Sequence, residues 1–114
     1  MDYIYGNNNK VLIKDFPDSF LKTHLQQQLV DNQVGRIIIT GIQSEICVDA
    51  TCRRAFILGY DVFILVEDGH STCDSDILKA CQIIHHYNTI HDQWFAKVKK
   101  TKILVFSIIS CLFS

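Results

Sequence analysis

Two short runs rich in β-branched and aromatic residues constrain this chain more than any other feature: V-G-R-I-I-I-T at residues 34–40 and V-F-I-L-V at residues 62–66. Neither alternates polar with apolar positions. Each therefore reads as a strand buried on both faces, which is the condition of a parallel sheet under helices. A briefer run, Val11, Leu12 and Ile13, reads the same way. Between the runs the apolar spacing changes to three and four residues. Asp18 or Ser19 can cap a helix reaching Leu29, with Phe20, Leu21, Leu25 and Leu29 inward. A second helix is expected from Ile46 to Leu58, stopped by Gly59. A third is expected from Asp74 or Ser75, carrying Ile77, Leu78, Cys81, Ile84 and Tyr87 on one side.

Strand, helix, strand, helix, strand, helix, then a further strand near residues 103–106, implies right-handed βαβ units. The expected fold class is α/β: a three-layer αβα sandwich with a mostly parallel, Rossmann-like sheet. Four strands are few for such a sheet, so the domain reads as incomplete. At 114 residues, 48% of them apolar, the chain supports one core. Residues 1–106 are taken as that partial domain and residues 107–114 as an apolar tail. The apolar stretch at residues 103–113 falls well short of the roughly 20 residues that span a bilayer, so no membrane partner is expected.

Lys and Arg number 11 against 12 Asp and Glu, and the one basic group, Lys97, Lys99, Lys100 and Lys102, is small. This balance gives no electrostatic ground for nucleic acid. The first fifteen residues are polar and carry no signal-peptide pattern. Five cysteines without a CxxC pair then read as reduced thiols of a cytoplasmic protein. No metal or other cofactor is expected, because Cys81 with His85 is the only potential ligand pair at helical spacing.

In sheets of this kind ligands gather at the C-terminal strand ends, where helix N-termini point inward. That directs attention to residues 37–51, I-I-I-T-G-I-Q-S-E-I-C-V-D-A-T. A buried strand ends at Gly41, the chain turns, and a helix begins near Cys47. There the unpaired N–H groups and the helix dipole favour thiolate over thiol, and the same N–H groups can hold an oxyanion. Cys52 and Cys81 fall within helices, Cys73 in a loop and Cys111 in the tail, all read as packing or surface thiols. Lys14 closes the first apolar run and so stands on the same ligand edge.

Residues 41–69, from G-I-Q-S-E-I-C-V-D-A-T to the strand ending V-E-D-G, resemble the isochorismatase-like cysteine hydrolases, which include nicotinamidases and carbamoylsarcosine amidohydrolase. Upstream, V-L-I-K-D-F-P-D-S-F-L-K-T-H-L resembles that family's lysine strand, and downstream I-I-H-H-Y-N-T-I resembles its last helix. The resemblance implies a Cys-Lys-Asp triad, with Cys47 as nucleophile and Lys14 as the lysine. It also implies a cis peptide at Ile42–Gln43 and an oxyanion hole made by the backbone N–H groups of Gln43 and Cys47. The family's aspartate lies on an earlier strand, and nothing before Lys14 resembles that segment, so the chain reads as N-terminally truncated. Asp15, Asp18 and His24 do not reproduce the family's metal cluster. His70 has no motif context, and His85, His86 and His91 read as polar positions on a partly exposed helix.

Three functions follow. The first is hydrolysis of a C–N bond in a small amide through a Cys47 thioester. The second is a truncated, non-catalytic remnant of the family. The third is an interaction protein whose free sheet edge and apolar tail recruit a partner or form a homo-oligomer.

Overall fold

A computed structural model of the chain describes residues 2–5, 10–65, 70–99 and 107–112. The elements run β1 (Asp2–Tyr5), β2 (Lys10–Ile13), α1 (Leu25–Asp31), β3 (Arg36–Ile42), a π-helical turn (Ser44–Val48), α2 (Asp49–Ile57), β4 (Asp61–Leu65), β5 (His70–Ser71), α3 (Ala80–Trp94), β6 (Lys97–Lys99) and β7 (Ser107–Leu112). The sheet order is β2-β1-β7-β3-β4-β6, and β5 pairs with β3 beyond the last pair made by β4. Strands β7, β3, β4 and β6 are mutually parallel. The α/β architecture with a mostly parallel sheet is therefore the one the alternating pattern implied.

The central strands behave as their composition dictates. Ile37, Ile38 and Ile39 are buried in succession, as are Val62, Phe63 and Ile64, so both faces of β3 and β4 are covered. One face packs Ile37, Ile39, Val62 and Ile64 against Phe20, Leu25 and Leu29 and against Cys47, Val48, Cys52 and Ala55 of the turn and α2. Gly59 ends the α2 segment at φ +94°, a left-handed conformation that suits glycine. No described helix is long and apolar enough to cross a membrane.

Four expectations need correction. Residues 107–112, read as part of a tail, form β7 between β1 and β3, antiparallel to the first and parallel to the second. The physical reason is that β3 would otherwise leave a row of backbone N–H and C=O groups unpaired along one side. The run 11–13 is part of an edge strand rather than a doubly buried one, and Ile13 is 77% exposed. It pairs with β1, four residues (D-Y-I-Y) whose strand-forming character the polar surroundings concealed. The first helix starts only at Leu25, because residues 15–24 are tied down by tertiary hydrogen bonds and Lys22 has φ +53°. Likewise α3 starts at Ala80, leaving Ile77 88% exposed and turning Ile83 and His91 inward. Val66 and the strand expected near residues 103–106 lie outside the described residues.

One row of paired residues crosses four strands: Gly41 on β3, Cys111 on β7, Tyr3 on β1 and Leu12 on β2. Strand β1 is antiparallel to both neighbours, so β2 runs in the same direction as β3. Lys14 and the turn after Gly41 consequently leave the sheet at the same edge.

Candidate active site

Gly41 sits at φ +128°, a conformation an L side chain rarely adopts, and it lets the chain leave β3 sharply. The next peptide bond, Ile42–Gln43, is cis. Gln43 is still extended, and its carbonyl accepts the N–H groups of Ile46 at 3.1 Å and Val48 at 3.2 Å. The five-residue spacing of the second bond is that of a π-turn, a feature common at functional sites. Cys47 lies in this turn, immediately ahead of α2, and is fully buried. The helix thus starts in a wider turn than the sequence pattern suggested, with the cysteine at its entrance.

Lys14 is 1% exposed. Its Nζ donates to the Pro17 carbonyl at 2.8 Å and to Ser19 Oγ at 3.1 Å. Ser19 in turn donates its backbone N–H to Thr51 Oγ1 at 3.0 Å, and the two hydroxyl oxygens are 3.0 Å apart. Thr51 stands four residues after Cys47, in the first turn of α2, and both are fully buried. Lys14, Ser19 and Thr51 are thus joined directly, and Cys47 is one turn away from the last of them.

The other residues near Lys14 do not converge. Asp18 binds its own loop through Phe20 N–H and pairs with Arg54 Nε at 2.9 Å, while Asp15 and His24 are exposed. Gln43 and Ile42 instead line a cavity of about 370 Å³ with Ser71, Thr72 and Cys73. That cavity borders the cis turn, and its walls include neither Cys47 nor Lys14.

Sequence reasoning missed the groups that hold the turn from the other side. His70, 6% exposed, has Nδ1 2.6 Å from Ser44 Oγ and Nε2 2.7 Å from Asn88 Oδ1. Two residues on, Thr72 Oγ1 donates to the Glu45 carboxylate at 2.7 and 2.9 Å. Burial, with the charge of His91, pulls the His70 pKa below its usual value, and Asn88 opposes this only in part. A signal was present: His70 follows the apolar run 62–66 at the ligand edge, the argument that picked out Lys14.

His91 also departs from expectation. It is 1% exposed, with Nε2 3.0 Å from Asp49 Oδ1, which Arg53 Nε approaches to 2.9 Å. Burial tends to raise the Asp49 pKa, but the close approach of His91 and the hydrogen bond from Arg53 outweigh it and hold the carboxyl below its usual value. Burial, reinforced by the Asp49 charge, pushes the Cys52 thiol up to about 12.

The isochorismatase domain model matches residues 4–84, more than half of the chain. The chain belongs to the isochorismatase family. Within that family it is 31% identical over 96 residues to the uncharacterized isochorismatase family protein YddQ of Bacillus subtilis, covering 81% of this chain and 53% of YddQ. It is 38% identical over 69 residues to streptothricin hydrolase of Streptomyces noursei, covering 60% of this chain and 27% of that enzyme. A solved isochorismatase family structure superimposes with a TM-score of 0.72 at 34% identity, over 76% of this chain and 52% of its own. The chain therefore spans about half the length of YddQ and about a quarter of streptothricin hydrolase.

Proposed function

We propose that the site around Cys47 is that of a cysteine hydrolase cleaving a C–N bond of a small amide. The Cys47 sulfur attacks the carbonyl carbon, and the oxyanion is held by the backbone N–H groups of Gln43 and Cys47. The C–N bond breaks, the amine leaves with the thiol proton, and water hydrolyses the thioester to free acid and thiol. Lys14 supplies positive charge at that sheet edge, favouring thiolate. The observation that carries the reading is a buried cysteine at the entrance of a helix, directly after a central parallel strand. The similarity to streptothricin hydrolase supports a hydrolase, and the resemblance to nicotinamidases favours an amide.

The second reading is the non-catalytic remnant, in which Cys47 works without the general base that the family's aspartate supplies. Hydrolysis of a small amide panel, nicotinamide included, by wild type beside Cys47→Ala separates the two. Turnover that disappears in the variant is expected for the hydrolase. A folded wild-type chain without turnover on any amide sinks it in favour of the remnant.

A further inference from the structure

The groups that hold the nucleophile's turn are themselves connected to a second helix through one imidazole. Asn88 Oδ1 can only accept a hydrogen bond, so at 2.7 Å it requires the proton of His70 on Nε2. In the neutral ring Nδ1 is then left bare, and at 2.6 Å it accepts the Ser44 hydroxyl proton. Ser44 is fully buried and stands between Gln43 and Cys47. His70 therefore links the turn carrying the cysteine to α3, which carries Asn88. Thr72 and Glu45 make a second tie between the turn and the segment carrying His70, one residue further along the turn. Positions 70 and 72 share one side of an extended chain, so the two ties act together.

We infer that His70, in its Nε2-protonated neutral form, is a positioning residue for the Cys47 turn, and that it acts through Ser44. The inference rests on the hydrolase reading for its chemical consequence, since the turn includes the N–H groups assigned to the oxyanion. The groups facing the imidazole suit a neutral ring: Ser44 and Asn88 are uncharged, the Glu45 carboxylate is occupied by Thr72, and the charge of His91, which lies against Asp49, disfavours protonation of His70.

Two substitutions divide the imidazole between them. His70→Asn places an amide oxygen where Nδ1 was and keeps an acceptor for Ser44. His70→Gln reaches towards Asn88 and forfeits that acceptor. The experiment compares these two and Ser44→Ala with wild type by amide hydrogen exchange at Ile46 and Val48, whose N–H groups bond to Gln43 O. The alkylation rate of Cys47 by iodoacetamide is read in parallel, peptide by peptide. Exchange and alkylation in His70→Asn are expected to stay within about 3-fold of wild type. In His70→Gln and Ser44→Ala exchange is expected to rise, and Cys47 labelling to fall, by about 10-fold, with the amides of Ile38 and Ile64 unchanged. Equal behaviour of the Asn and Gln variants overturns the inference. So does a wild-type nitrogen-15 spectrum with the His70 proton on Nδ1, which needs no variant to fold. A wild-type Cys47 that labels no faster than an ordinary thiol removes the hydrolase reading, while the exchange pattern still decides this one.

Discussion

Thr51→Val removes one hydroxyl from the junction between the lysine loop and α2, and its cost can be worked from the bonds. Thr51 Oγ1 is fully buried, accepts Ser19 N–H at 3.0 Å, lies 3.0 Å from Ser19 Oγ and lies 3.3 Å from Pro17 O. Pro17 O and Ser19 Oγ keep the Lys14 ammonium at 2.8 and 3.1 Å, so their loss is small. The Ser19 N–H loses its acceptor inside the protein, a deficit of about 1–3 kcal/mol. The methyl that replaces the hydroxyl returns a fraction of this by burial, leaving about 2 kcal/mol. With a urea slope near 1.5 kcal/mol/M for a chain of this size, the midpoint should fall by roughly 1.3 M. Thr51→Ser keeps the oxygen and loses only a methyl, so about 1 kcal/mol is expected. Equilibrium urea unfolding of the three proteins measures this directly. A Thr51→Val loss under about 0.5 kcal/mol, or one no larger than that of Thr51→Ser, would refute the claim that this hydroxyl secures the loop.

Other consequences follow from single residues. Cys52, with its thiol pushed up to about 12, should resist iodoacetamide at pH 7.5 while exposed Cys73 and Cys81 react; mass spectrometry finding Cys52 modified in the folded protein would contradict this. Gly59→Ala meets nothing within 4 Å yet must adopt φ +94°, so about 1 kcal/mol should be lost from the backbone alone, visible as a Tm several degrees lower. An unchanged Tm would count against the left-handed turn. The pH dependence has a definite sign. The folded His70 pKa lies below its free value of 6.5, so the unfolded chain binds more protons just under that pH. Its stabilisation is complete above 6.5 and declines as pH falls towards the depressed folded value. Asp49, also depressed, adds a second decline below 3.8. A urea midpoint that stays flat from pH 7 to pH 3 would be inconsistent with both.

What the sequence made legible was local. The runs holding Ile37–Ile39 and Val62–Ile64 advertise two-sided burial in their composition, and Gly59 marks a helix end by itself. Cys47 and Lys14 could be singled out because the ends of parallel strands have chemical meaning before any coordinates exist. The failures are non-local. The start of α1 is delayed by a bond from Ser19 to Thr51, 32 residues away, that no window around residues 15–24 contains. The serine of the turn and its imidazole are 26 residues apart, and the imidazole and its asparagine 18. Pattern reading along the chain does not see such pairs. The placement of β7 between β1 and β3 is of the same kind, set by the pairing demand of β3 rather than by residues 107–112 alone.

The direction of β2 carries a constraint on how this fold can change. Two reversals, at β2–β1 and β1–β7, return β2 to the sense of β3. Parity, not distance, puts the lysine and the cysteine turn on one rim. A single additional strand inserted between β2 and β1, antiparallel to both, would reverse β2 relative to β3. Lys14 would then emerge at the opposite rim, about 13 Å away for a four-residue strand. Redesign of this half of the sheet can therefore add reversals only in pairs.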